Sequence, residues 1–325
     1  MRVAVLGGTR FIGRAASEAL TQRGHELLIV HRGESEPETL SDVRHVHVSR
    51  AKLREAASVI EDFSPDAVLD SYALTAADAT TALAVIPVGT HCVVLSSCDV
   101  YRAYTSRDEG TVTDPVPLSE DAPLRTQRYP YRGRMPGFDD YDKLDVEDAY
   151  RARNATILRL GFVYGPHDGQ TREEFVLKRV RASRQQIPSG PGNWLLSRCY
   201  VADAADAVVR AVERRDVAGR TLNIAETAAA TVRLWAQQIL AAAGSSAKLV
   251  RVPSRVLPAD MAMTAAISQH LAVDTSRARR LLGWEPSNPA DSVAQSVAWH
   301  LAHPPVEAFE DFSADDVALE AARGS

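Results

Sequence analysis

Gly7-Gly8-Thr9-Arg10-Phe11-Ile12-Gly13 is the first stretch whose residue types could hold a ligand. An apolar run, Val3-Ala4-Val5-Leu6, stops there, and a helical pattern over residues 14–23 follows at once. Glycines in such a turn let the backbone approach a pyrophosphate, whose charge then rests on the amides of the helix N-terminus. The second strand pattern ends Ile29-Val30-His31-Arg32-Gly33, with no carboxylate before Glu34. A carboxylate at this place binds ribose hydroxyls, whereas an arginine can pair with a 2′-phosphate through charge-assisted bonds. His31 and Arg32 are therefore candidate cofactor contacts, and NADP(H) is expected ahead of NAD(H). Two other chemistries find little support. Cys98 has no histidine near it in sequence to serve as a base. The nine histidines show no H-E-x-x-H or comparable spacing, so no metal is expected.

These residues need elements to position them. Strand patterns fall at Val3–Leu6, Glu26–His31, Val43–Val48, Ala67–Asp70, His91–Ser96 and Ala155–Leu160. Helical patterns lie between them at Arg14–Arg23, Leu53–Phe63, Ala76–Val85 and Tyr141–Arg153. Strict alternation of strand and helix predicts an α/β fold, a doubly wound parallel sheet of Rossmann type. Continuous apolar runs such as Cys92-Val93-Val94-Leu95 suit strands covered on both faces. Residues 101–137 break the rhythm with prolines, glycines and six arginines (Arg102, Arg107, Arg125, Arg128, Arg132, Arg134). A long irregular segment inside a compact domain is usually functional or disordered. After Pro166 the pattern turns mostly helical, at Glu173–Ser183, Ala204–Arg214, Val232–Ala243 and Ser292–Ala302, with a short strand at Thr221–Ile224. The expected organisation is a dinucleotide-binding domain over 1–165 that returns at about 200–225. A smaller, mostly helical substrate lobe would occupy 166–199 and 226–306, followed by an acidic tail over 307–325, either a short amphipathic helix or a frayed end.

At this point the chain resembles the extended short-chain dehydrogenase/reductase family, and within it the atypical branch with a Gly-Gly-Thr-Arg-Phe-Ile-Gly turn. The likeness spans roughly residues 1 to 305. Gly7 and Gly13 match the outer glycines of the family turn, and Arg10 stands where the middle one would be. Leu95-Ser96-Ser97-Cys98-Asp99-Val100-Tyr101 is similar to the family's strand-five signature, and Leu158 to Pro166 to that of strand six. Tyr200-Val201-Ala202-Asp203 and Leu282-Gly283-Trp284-Glu285-Pro286 match two further landmarks. The resemblance implies hydride chemistry on an alcohol or ketone of a small polar metabolite, as in epimerases, dehydratases and reductases. It implies that Ser97 orients the reacting oxygen and that Lys143 holds the nicotinamide ribose.

The family's acid/base pair is Tyr-x-x-x-Lys, and here the fourth residue before Lys143 is Asp139. Three readings stay open. Asp139 could replace the tyrosine. Tyr141 could act if the helix starts late, because residues two apart on a regular helix do not share a face. Or the proton-transfer function is lost. In the last case the scaffold would serve a non-redox elimination or rearrangement, or a nucleotide-sensing or RNA-binding regulatory protein. Nucleotide-sugar relatives often carry asparagine where this chain has Phe162, so a substrate without the usual nucleotide contacts is expected. Arg198 and the arginines of 102–134 could hold an anionic group on it.

Composition sets outer bounds. A net charge of −5 argues against a nucleic-acid partner. Three well-separated cysteines, Cys92, Cys98 and Cys199, suit a reducing cytoplasm. No apolar run approaches the roughly 18 residues of a membrane span, and no signal peptide is expected. Homodimerisation is expected only by analogy with the family.

Overall fold

Alternating burial shows how the first strand works. Val3 and Val5 enter one hydrophobic core, with Ala16 and Leu20; Ala4 and Leu6 enter a second, with Ile60 and Phe63. Every face of the strand is therefore covered, which is why it reads as an unbroken apolar run. The computed structural model describes residues 1–305 and 311–323. Its central sheet uses β1 (Arg2–Leu6), β2 (Glu26–His31), β3 (Arg44–His47), β4 (Ala67–Asp70), β5 (His91–Ser97) and β6 (Thr156–Leu160), completed by Thr221–Ile224. All seven strands are parallel, in the order β3-β2-β1-β4-β5-β6 and then Thr221–Ile224. The order reverses between β1 and β4. A doubly wound sheet opens its ligand crevice at such a point, beyond the strands' C-terminal ends.

The connecting helices are α1 (Phe11–Gln22), α2 (Ala57–Phe63), α3 (Ala76–Leu83), α4 (Arg102–Asp108) and α5 (Lys143–Arg151). Three of the expected helix starts differ from the sequence expectation for local reasons. Helix α1 starts three residues early because the glycine turn is tight enough for Phe11 to begin it. Residues Arg50–Ala56 form 3₁₀ turns, so α2 is regular only from Ala57. Helix α5 starts two residues late because the Asp142 side chain accepts from Leu144 N and caps it.

The second half carries helices Glu174–Arg181, Val201–Glu213, Val232–Ala242, Ser276–Leu282 and Pro289–Ala302. Three small ladders that the sequence pattern did not reveal also occur here, such as Gln186–Ser189 with Lys248–Arg251. The tail is not frayed over its described part. Ser313–Arg323 is a helix, anchored where buried Arg179 donates to Asp315 at 2.6 and 2.7 Å. Residues 306–310 and 324–325 of the tail lie outside the described residues. Among the described residues no helix is long and apolar enough to cross a membrane.

Candidate functional site

A cleft of about 520 Å³ opens at the sheet's reversal point, within the usual size of a small-molecule site. Its floor is the turn between β1 and α1, with Gly7, Gly8, Thr9, Arg10, Phe11, Ile12 and Gly13 all lining it. Gly8 has φ +93°, and a Cβ there would meet Val5 Cγ1 at 2.7 Å. Gly13 sits in the first turn of α1, where a Cβ would lie 2.9 Å from Gly8 N. The helix therefore packs directly onto the turn. No side chain caps its N-terminus and no acid occupies its first turn. Its first amides are thus available to an anion, and the cradle fits a dinucleotide pyrophosphate. Gly8→Ala is expected to weaken dinucleotide binding at least about tenfold and to lower the unfolding temperature, since it combines a left-handed φ with a clash against core Val5. Cofactor fluorescence titration and thermal unfolding check both effects.

At the end of β2, His31 and Arg32 line the same cleft. Arg32 is half-exposed, and its guanidinium is 2.9 Å from Glu34, which also lies 3.3 Å from Arg10. Arg50 enters from the 3₁₀ segment after β3. It donates to Asp70 at 2.9 Å through Nη1 and to Asp78 O at 3.0 Å through Nη2, while its buried Nε lies 3.8 Å from Asp78 Oδ1 and makes no hydrogen bond among the described residues.

The opposite end of the cleft holds the reactive side chains. Ser97 closes β5, and its Oγ accepts from Asp99 N at 3.1 Å, capping the short turn Cys98–Val100. Tyr141 precedes the cap of α5 and is therefore not on the helix. The irregular backbone turns its buried ring into the cleft beside Lys143 and Ser97, two residues notwithstanding. Its hydroxyl donates to Asp99 Oδ2 at 2.8 Å, and Tyr131 donates to the same oxygen at 3.1 Å. Burial pushes the Tyr141 phenol well above its ordinary pKa; the Asp99 carboxylate adds to this, and a hydrogen bond with Ser97 opposes it. Burial also raises Asp99, against the pull of Tyr141 and Arg125. Lys143 Nζ donates to Ala73 O at 2.6 Å and Leu95 O at 2.9 Å, and burial lowers its pKa to about 8.

Asp139 is not brought to this group. It is exposed, absent from the cleft wall, and accepts from Gly133 N at 2.8 Å as a loop brace. Cys98 is buried, and burial drives its thiol pKa up, which works against its use as a nucleophile.

A model of the NAD dependent epimerase/dehydratase family matches residues 3–225. The chain belongs to that family. It is 28% identical over 317 residues to a 3-diazoavenalumate denitrifying reductase of a Streptomyces species, covering 89% of this chain and 97% of that protein. It is 28% identical over 226 residues to the 2′-dehydrokanamycin reductase of Streptomyces kanamyceticus, covering 66% of this chain and 59% of the relative. Among solved structures, a UDP-glucose-4-epimerase from Stenotrophomonas maltophila, with bound NAD and formylated UDP-arabinopyranose, superposes with TM-score 0.71 at 18% identity, covering 93% and 98% of the two chains. This epimerase/dehydratase-family protein is thus an enzyme of the extended short-chain dehydrogenase/reductase type, with the nicotinamide-binding fold its motifs implied.

The arginines of the family member's irregular segment have structural occupations. Arg102 pairs with Asp114, Arg107 with Asp108, Arg125 with Asp142, Arg128 with Asp145, Arg132 with Asp140 and Arg134 with Asp108. Arg198 is buried, with Nη2 2.7 Å from Glu226. None of these seven lines the cleft, so the expectation that they hold an anionic substrate group is not met: each already neutralises a carboxylate of this chain. The segment itself is ordered by them. Arg125 donates to Asp142 at 2.6 and 3.2 Å, and this buried pair ties the loop to the start of α5. Sequence reasoning missed Asp99 and Arg50. Asp99 was visible inside the strand-five signature, yet only its burial under two tyrosines marks it out. Arg50 carried no local signal.

Proposed function

We propose that this enzyme is an NADP(H)-dependent reductase that protonates a carbonyl-type oxygen of a small metabolite through Tyr141. The observation that carries this reading is the Tyr141 hydroxyl, buried and facing the cleft beside Lys143 and Ser97, where burial holds its pKa up. A phenol kept neutral suits proton donation better than proton removal, and so suits reduction rather than oxidation. A reduced nicotinamide, when bound, would supply the hydride. Ser97 orients the accepting oxygen, Tyr141 Oη delivers the proton, and Lys143 holds the ribose. Asp99 accepts from the Tyr141 hydroxyl at 2.8 Å and so fixes the position of Oη in the cleft. Gly7 to Gly13 would cradle the pyrophosphate, and His31 and Arg32 would hold the adenosine end, Arg32 exchanging Glu34 for a 2′-phosphate. That both curated relatives above are named as reductases fits this direction.

The substrate is a small molecule without a nucleotide diphosphate. Phe162 offers no hydrogen bond to one, and Arg198 is committed to Glu226. Titration of wild type and Arg32→Ala with NADPH and NADH tests the cofactor assignment. NADPH is expected to bind tighter, and the substitution to weaken it about tenfold or more while leaving NADH unchanged. Equal weakening of both nucleotides, or none, overturns it.

A further inference from the structure

Three histidines and a glutamate converge at the edge of the sheet, although they are scattered in sequence. His31 ends β2 and is paired in register with His47 on edge strand β3. His45 lies two residues earlier on β3, so its side chain shares a face with His47. Glu36 comes from the loop joining the two strands. His31 Nε2 stands 2.9 Å from His45 Nδ1 and 3.6 Å from Glu36 Oε1, and His47 Nε2 contacts the same glutamate oxygen. These four donor atoms all lie within 4.8 Å of one another.

We propose that His31 Nε2, His45 Nδ1, His47 Nε2 and Glu36 Oε1 bind one divalent transition-metal ion of the zinc class. Three imidazole nitrogens and one carboxylate oxygen make a four-donor set of the kind zinc accepts and that calcium or magnesium would not choose. His45 Nε2 is 2.9 Å from Leu40 O, which fixes its proton there and leaves the Nδ1 lone pair facing the cluster. Such a carbonyl partner is the usual outer support of a ligating histidine. Metal binding shifts the His31 proton from Nε2 to Nδ1 and gives up the 3.2 Å bond from Gly33 N. The ion would staple the β2–β3 loop to both strands at the wall of the cleft that His31 lines.

The test is calorimetric titration of chelator-treated protein with Zn²⁺, alongside His45→Ala, His47→Ala and Glu36→Gln, with thermal unfolding of each. One ion per chain is expected, with a higher unfolding temperature in its presence and affinity at least about tenfold lower in each variant. Co²⁺ should give the intense visible bands of a four-coordinate site in wild type and lose them in His45→Ala. His47 and Glu36 are more than two-fifths exposed, so their variants should fold normally without metal. Absence of saturable binding overturns the proposal, as does binding unchanged by all three substitutions, which would place the ion on other histidines.

Discussion

Tyr141→Phe is expected to lower kcat by about 10²–10⁴-fold, the usual contribution of a positioned acid or base, while NADPH affinity stays as in wild type. The substitution removes one oxygen and keeps the ring, whose neighbours are Tyr131 at 5.1 Å and Phe138 at 5.9 Å between centroids. Tyr131 still donates to Asp99, so the buried carboxyl is not stranded. Asp139→Asn is the matched control. Its side chain braces Gly133 outside the cleft, and its effect on kcat is expected to stay within about twofold, as for a surface substitution. The measurement is NADPH oxidation with a carbonyl compound that a screen shows the wild type to reduce. If Asp139→Asn abolishes turnover and Tyr141→Phe does not, the roles assigned to the two residues are reversed.

The largest stability effect is expected at Glu147, one turn beyond Lys143 on α5. Its carboxylate accepts from Ser96 Oγ at 2.6 Å, Arg159 at 2.9 and 2.8 Å, and Arg151 at 2.6 Å, and it is fully buried. Glu147→Ala leaves the buried Arg159 guanidinium with only Tyr101 Oη and Glu120 O, at 3.1 and 3.0 Å. Breaking such a pair costs about 3–5 kcal/mol, a large share of a typical folding free energy of about 5–15 kcal/mol. Urea unfolding reads this directly. The double substitution Glu147→Leu with Arg159→Leu removes both charges and should recover most of the loss, which separates an uncompensated charge from a packing defect. The same group gives a pH dependence. Burial works against the charged carboxyl, but Arg159 outweighs it and holds Glu147 below the ordinary glutamate range. The folded pKa is thus below the unfolded one. Its stabilisation is complete above the unfolded value near about 4.3 and disappears as pH falls through the lower folded value. A loss of stability that begins above pH 6 would contradict this.

Much of the scaffold could be read from local pattern. Strands β2 and β4 and the late strand Thr221–Ile224 have the expected bounds, because buried parallel strands leave continuous apolar runs between turn residues. The glycine turn was equally legible, since few other residues tolerate its φ angles and its contact with α1. The site's proton-transfer end was not. Whether Tyr141 or Asp139 reaches the cleft depends on where α5 begins, and a two-residue shift is within the ordinary ambiguity of helix ends. Asp142 decides it by capping the helix, and Arg125 holds Asp142 from seventeen residues away.

By itself, then, the chain's order of residues determined the doubly wound sheet, the dinucleotide turn and the family, because those depend on short-range periodicity, on backbone freedom at single positions and on motifs in sequence. Only the tertiary structure decided which arginines were already committed to carboxylates, which oxygen Tyr141 addresses, and that His31, Glu36, His45 and His47 converge. Those outcomes depend on charges and donor atoms brought together across strands and loops, and spacing along the chain carries no record of them.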